Sequence, residues 1–362
     1  MKKYILAEKN YRHTGNEEDF HAGSKAVRDV HEIAVKKKYE PLYIIKYSEQ
    51  KDIFSKVLNQ LFSLKSWLSI LFLFKKGDIL LMQCPIRRKQ LGRKFVQNRL
   101  NKKGHVISLI HDVEELRCFF NQPKFDHDEF ETTLKNSEIF IVHNERMKSY
   151  FREKGIDETR LISLQIFDYL TNEEILSEKT GDGIVLAGNL DIKKSPYVYK
   201  LNEVNAAFTL YGPNYVQKDS PNIRYNGPIS ADKLPGVLRG KYGLVWDGDS
   251  ITSCTGKAGE YTRYNNPHKV SLYIVSKLPV IMWKEAALAE FIVKNHLGIA
   301  VDSLLELPRY LDQVTEEEYA EMKNNLEVYS DRLQSGYFTG TALDAAEEKC
   351  CHSYEKVPVD LF

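Results

Sequence analysis

The chain has 362 residues, 43% of them apolar and 28% charged, with a formal net charge of +1. That is enough apolar material for about two ordinary domains. It excludes a disordered or collagen-like chain, and no nucleic-acid-reading motif accompanies the charge. The charge is unevenly placed: residues 1–165 carry 31 Lys/Arg against 22 Asp/Glu (+9), the remainder 20 against 28 (−8). A basic first half facing an anionic ligand or surface is the expectation. Five cysteines show no metal spacing, and Cys350 and Cys351 are adjacent, a poor disulfide geometry. They read as reduced cytoplasmic thiols.

From the N-terminus, short apolar runs alternate with helical patterns. The first six residues are apolar enough for a buried strand and then turn polar, unlike a signal peptide. Strands are expected at 4–7, 42–47, 78–83, 106–110, 139–143 and 161–166, with amphipathic stretches such as 22–38 and 144–154 between them. In the first turn, Gly23, Ser24 and Lys25 form a weak phosphate-holding pattern that lacks a full P-loop or dinucleotide fingerprint.

Residues 53–74 are very apolar, but the core of this stretch, 61–74, has only 14 residues and contains Lys65. It is too short to span a bilayer. It reads either as a buried domain helix or as a helix lying partly in a membrane interface. Residues 87–103 follow with eight Lys/Arg and no acid. They read as a solvated basic face or, beside the apolar helix, as a patch attracted to anionic lipid.

After the strand at 106–110 comes His111-Asp112-Val113-Glu114-Glu115-Leu116-Arg117. An acid placed there can deprotonate a hydroxyl. Equally, Asp112 and Glu115 can form a capping box. An acidic stretch, 168–182, reads as a linker between a first domain at 1–167 and a second at 183–335. A tail, 336–362, is expected to pack back on the first domain.

The α/β pattern then restarts, with strands expected at 183–187, 207–211, 223–225, 243–246, 279–282 and 298–301. Ligands of such folds sit at the carboxyl ends of the strands. Asn189 follows Gly188 at one such end, and Tyr211 offers a ring for base stacking at another, although both segments also read as ordinary turns. Asp247 and Asp249 resemble a metal-holding pair but at a short, common spacing; strand termination is the preferred reading. Asn265 to Lys269 reads as a helix start with Pro267 in its first turn. A cation there opposes the helix dipole unless an anion is present, so His268 and Lys269 become candidate donors to a phosphate. Residues 316–343 look helical.

The blocks HDVEELR, AGN, FTLYG, GLVWDGDS and NNPHKVSLY…LPVIMW together resemble the bacterial β-1,6-galactofuranosyltransferases of O-antigen assembly. They are more distantly similar to the streptococcal adhesin-glycosylating glucosyltransferases. The resemblance covers most of residues 1–340. It implies a GT-B fold of two Rossmann-like domains, a UDP-sugar donor, no cofactor and no essential metal. By position it assigns Asn189, Tyr211, His268, Lys269 and Lys193 to the donor site, with Ser24 and Lys25 reaching it from the other domain. Many retaining GT-B enzymes carry two glutamates eight positions apart around the phosphate-binding helix. Here those positions fall near Tyr264–Asn265 and Ser271–Leu272, so the pair is missing. That favours an inverting enzyme with Asp112, Glu114 or Glu115 as base, Asp112 being preferred. The implied acceptor is a lipid-linked or other glycan hydroxyl. The implied location is cytoplasmic, at the inner face of the membrane. A homo-oligomer and a non-catalytic sugar-nucleotide-binding partner remain open.

Overall fold

The computed structural model describes residues 1–11, 22–48, 50, 52–117, 122–175, 181–216 and 220–355; the side chains of 22–24 and 352–355 lie outside the described residues. The first six strands are β1 (Lys3–Asn10), β2 (Glu40–Lys46), β3 (Ile79–Cys84), β4 (His105–Ile110), β5 (Ile139–Val142) and β6 (Leu161–Ser163). They form one sheet in the order β2-β1-β3-β4-β5-β6. The next six are β7 (Ile184–Ala187), β8 (Phe208–Tyr211), β9 (Ile223–Tyr225), β10 (Tyr242–Val245), β11 (Val280–Trp283) and β12 (Gly298–Val301). They form a second sheet, β12-β11-β10-β7-β8-β9. Every pairing in both sheets is parallel. All twelve expected strands are present, with ends displaced by at most three residues.

Buried parallel strands need apolar side chains on both faces, and the first sheet supplies them by alternation. Tyr4, Leu6, Leu80, Met82 and Val106 pack with Trp67, Ile70, Val96, Leu100 and Phe130 on one face. Ile5, Ile79, Leu81, Ile107 and Leu109 pack with Val30, Ala34 and Tyr39 on the other. The second sheet has its own core, centred on Val185, Leu244, Tyr273 and Ile281.

The C-terminal stretch expected to be one helix is two. Helix Glu316–Ser335 starts with a full capping box between Thr315 and Glu318 and stops at Gly336, which is left-handed at φ 79°. A Cβ at that position would meet Ile33 Cγ1 at 2.6 Å, so glycine serves both the turn and the packing. Helix Tyr337–Glu355 then crosses to the first sheet and buries Ala342, Leu343, Ala346 and Cys350 against it. Asp168 caps this helix: its two carboxylate oxygens accept from Phe338 N at 3.1 Å and Thr339 N at 2.6 Å.

Candidate functional site

The strand order of the second sheet reverses direction between β7 and β10, which opens a crevice at the carboxyl ends of those two strands. β7 runs out into Gly188, and β10 runs out through Trp246 into Asp247. Between them stands Lys269, near the start of helix His268–Val275. A Cβ on Gly188 would lie 3.0 Å from Lys269 Cε and 3.4 Å from its Nζ. Glycine therefore gives the ammonium its place. The ammonium is 3.6 Å from Asp247 Oδ1, a loose pair between two partly exposed groups. Tyr273, one turn further along the helix, braces this strand end: its hydroxyl oxygen accepts from Ala187 N at 2.8 Å. The crevice thus has a cation at a helix N-terminus whose counter-ion, Asp247, is loosely held at 3.6 Å, an arrangement that suits an incoming phosphate.

Lys194 joins it. Its ammonium is held below the ordinary lysine value, first by the protein surrounding it, then by the neighbouring positive charge of Lys269. Asp247 and, across the cleft, Asp112 oppose that effect, while Arg117 adds to it. Lys194 is thus within electrostatic reach of charges on both domains. Lys193, the residue expected from the sequence, is exposed, as is Lys194, and the Lys193 backbone N–H donates to Asp191 Oδ1 at 2.8 Å.

Asn189 and Tyr211 frame the crevice. Asn189 Oδ1 accepts from Asp191 N and from Asn214 Nδ2, both at 3.0 Å, and so fixes the β7 turn. The Tyr211 ring is 4% exposed and belongs to the second core, leaving no free face for stacking. Its carbonyl accepts from Gly188 N at 2.9 Å.

His268 differs from the sequence expectation. Its ring stacks on Tyr169 at 4.8 Å, and Nε2 lies 3.0 Å from the Asp168 carbonyl oxygen. A carbonyl only accepts, so Nε2 carries the proton. Burial lowers the imidazole pKa to about 4, leaving Nδ1 unprotonated near neutrality and without a partner among the described residues. His268 therefore offers an acceptor, suited to a hydroxyl rather than a phosphate.

Lys25 lies elsewhere. Its ammonium donates to Asp29 Oδ1 and to the Leu170 carbonyl, both at 2.5 Å, and sits 4.7 Å from the Tyr169 ring. It fixes the crossover between domains. The side chain of Ser24 is outside the described residues.

On the facing wall, the turn after β4 carries the three candidate bases. Asp112 Oδ2 pairs with Arg117 Nη1 at 2.9 Å and Arg87 Nη2 at 3.2 Å. Burial raises its carboxyl to about 6, with Arg117 pulling the other way. Glu114 is buried and bound to Arg117. Glu115 turns outward to Lys154 Nζ at 2.7 Å and His127 at 3.3 Å. Asp112 and Glu114 both couple to Tyr261 of the second domain, and Asp112 couples to Lys194 as well. Next to it, Val113 N donates to the Tyr261 hydroxyl at 2.8 Å, a direct bond between the domains.

The part that Asn266 plays between the domains has no local signature in the sequence. Asn266 Nδ2 donates to the carbonyls of His143 (2.7 Å) and Gln165 (3.0 Å), Asn266 N donates to His143 Nδ1 (2.8 Å), and Asn266 Oδ1 accepts from Asn144 Nδ2 (2.7 Å). The residue just before the phosphate-type helix is thus the clamp that sets the two walls at their spacing. Among the described residues, the ligand atoms of His105, Glu138 and Cys350 lie within 4.8 Å of one another. They lie at the amino ends of β4 and β5, away from the cleft.

Comparison with known proteins agrees with this architecture. The model of the glucosyltransferase 3-like N-terminal domain matches residues 5–166, and that of the C-terminal domain matches residues 184–346. The chain is 31% identical over 331 residues to the β-1,6-galactofuranosyltransferase WbbI of Escherichia coli, covering 89% of this chain and 93% of that one. It is 26% identical over 278 residues to glucosyltransferase 3 of Streptococcus gordonii, covering 75% and 80% respectively. The solved lipopolysaccharide outer core galactosyltransferase WaaB superposes with a TM-score of 0.60 at 10% identity, covering 96% of this chain and all of that one. Anabaena HepE in complex with UDP superposes at 0.54 with 9% identity, covering 99% of this chain and 100% of that one. The chain belongs to the glucosyltransferase 3-like family of GT-B glycosyltransferases.

Proposed function

We propose that the protein is an inverting glycosyltransferase that moves galactofuranose from UDP-galactofuranose to a hydroxyl of a lipid-linked oligosaccharide, most simply through a β-1,6 linkage. One observation carries the reading: the buried Asp112 carboxylate, paired with Arg117, lies on one wall of the cleft, and Lys269 stands beside Gly188 and Asp247 at the strand ends of the other. The WbbI relative supports the choice of sugar.

In this mechanism the acceptor hydroxyl gives its proton to Asp112 as its oxygen forms a bond to the anomeric carbon. The bond from that carbon to UDP breaks on the opposite side, which inverts the configuration. Negative charge grows on the departing diphosphate. Lys269, Lys194 and the amino end of helix His268–Val275 are placed to meet it, which replaces the loose contact of Lys269 with Asp247. Asn189 and Gly188 shape the turn beneath. The lysines supply the charge that a divalent ion supplies in other sugar-nucleotide enzymes, so no cofactor or metal enters the scheme.

A second reading has the same chemistry with UDP-glucose, supported by the glucosyltransferase 3 relative. UDP release is the test, measured with EDTA present and with UDP-galactofuranose, UDP-galactopyranose and UDP-glucose offered in turn with an α-glucoside acceptor. Release only with the furanose donor is expected; release only with UDP-glucose selects the second reading. Asp112→Asn should lower turnover by about a hundred- to ten-thousandfold while UDP still binds. Full turnover in that variant removes Asp112 as the base, and turnover only after manganese is added assigns a metal role to Asp247.

A further inference from the structure

Helix Ile53–Leu73 buries three serines beside Trp67 and Ile70 and leaves much of its apolar surface outward. Its buried residues are Ser55, Ser63, Ser66, Trp67 and Ile70. Its outward residues include Phe54, Val57, Leu61, Leu68 and Phe72, with Lys65 among them. Their spacing of three and four residues places them on one stripe. Phe72 is 85% exposed and Phe54 67%. Ser66 is satisfied inside, accepting from Ile45 N at 3.0 Å and donating to the Phe62 carbonyl at 2.8 Å. Ser66 is thus seated in this packing, and the apolar stripe is the face left to the surroundings. A monomer gains nothing from such a stripe in water.

The neighbouring helix, Arg93–Lys103, extends the same surface. Phe95 is 57% exposed, and the Arg99 guanidinium lies 5.1 Å from its ring. Between the two helices, Leu71, Lys76, Phe95, Arg99, Lys102 and Lys103 line a hollow of ≈ 580 Å³. Residues 53–103 contain twelve Lys/Arg and a single acid, Asp78. Asp78 is buried and occupied by Lys2 N and Lys75 N. Of the cations, Arg87, Arg88 and Arg93 have carboxylate partners within the protein. Lys56, Lys65, Lys76, Lys94, Arg99 and Lys102 are exposed on these two helices and the turn after the first.

We propose that this surface docks on an anionic phospholipid bilayer, with the phenylalanines and leucines in the interface and the hollow around Arg99 and Lys102 receiving a lipid phosphate. Charge selects this occupant. A second copy would bring an equally basic surface against this one, since a two-fold contact pairs like with like. An anionic membrane meets both the apolar and the cationic parts. No helix among the described residues is long and apolar enough to cross a membrane, so the contact is peripheral. The proposal extends the lipid-linked acceptor reading to a defined surface and rests on that reading only for what the membrane delivers.

Vesicle co-sedimentation tests it. The full chain is expected to pellet with phosphatidylcholine vesicles containing phosphatidylglycerol, not with phosphatidylcholine alone, and to be released by salt. Arg99→Glu with Lys102→Glu should weaken partitioning by roughly thirtyfold or more. Phe72→Ser with Phe95→Ser should abolish it, while UDP release with a soluble acceptor stays at the wild-type rate. Vesicle binding by a protein that transfers no sugar would sustain the docking surface and count against the transferase reading alone. The proposal is overturned if the wild-type chain stays in the supernatant with anionic vesicles, or if the charge-reversed variant pellets as well as wild type. It is overturned equally if light scattering shows a dimer that the phenylalanine variants convert to monomer.

Discussion

Lys25 and Lys269 carry the same sequence signal and have opposite fates. Each follows a strand in a turn with small or polar neighbours, and each reads as a phosphate ligand. Lys25 is buried, bound to Asp29 and a carbonyl, and covered by Tyr169. Lys269 stands over Gly188 with only a 3.6 Å contact to Asp247. The difference lies in where the counter-charge resides. For Lys25 it is four residues away on the same helix, inside the protein; for Lys269 it must come largely from a ligand. A lysine in a turn becomes a site only when the fold withholds its partner.

Substitution separates the two. Removing Lys25 with Lys25→Ala leaves the Asp29 carboxylate buried without its ion partner, a loss of about 3–5 kcal/mol in chemical denaturation. The carboxyl of Asp29 is already raised to about 6 by burial, with Lys25 opposing the rise. Without Lys25 the folded pKa lies higher still, above the unfolded value. The deficit should therefore be small at pH 5 and grow as pH rises through the folded pKa. Lys269→Ala should do the reverse. Stability should change little, and turnover should fall by about a hundred- to a thousandfold as the departing diphosphate loses its nearest cation. Equal stability losses in the two variants would erase the distinction. A smaller effect, about tenfold in turnover, is expected for Lys194→Ala, with Lys193→Ala indistinguishable from wild type in the same UDP-release assay.

The fold was largely legible because parallel strands buried on both faces leave continuous apolar runs, and twelve such runs stand out. Helix polarity was less so. The inward serines and outward phenylalanines of Ile53–Leu73 have the same periodicity as an ordinary buried helix, and only packing shows which side is in. At the site, Gly188, Asp247 and Lys269 were visible because strand ends and helix starts have local signatures. Lys194 adjoins the expected Lys193, and its coupling to Lys269, Asp247 and Asp112 joins residues far apart in the chain that leave no local trace. Asn266 was read as part of a ligand-binding start, but its partners, His143, Asn144 and Gln165, are over a hundred residues away and leave no local trace. His268 was read as a phosphate donor. Its tautomer depends on the Asp168 carbonyl, a contact that exists only after folding.

Asp112 sharpens the contrast between a charge the protein keeps and one it leaves for the reaction. It has a partner, as Lys25 does, yet the partner is shared: Arg117 also holds Glu114. Burial raises the Asp112 carboxyl to about 6, Glu114 raises it further, and Arg117 and Arg87 lower it. A general base must be unprotonated to act. kcat/KM should therefore be level above pH 7 and fall about tenfold per pH unit below about 6. Arg117→Gln removes the charge that stabilises the carboxylate and frees Glu114 to repel it, so the acid limb should move to higher pH. If the limb stays in place in Arg117→Gln, or survives in Asp112→Asn, another group is titrating. The pairing with Arg117 would then be structural, like that of Lys25 with Asp29.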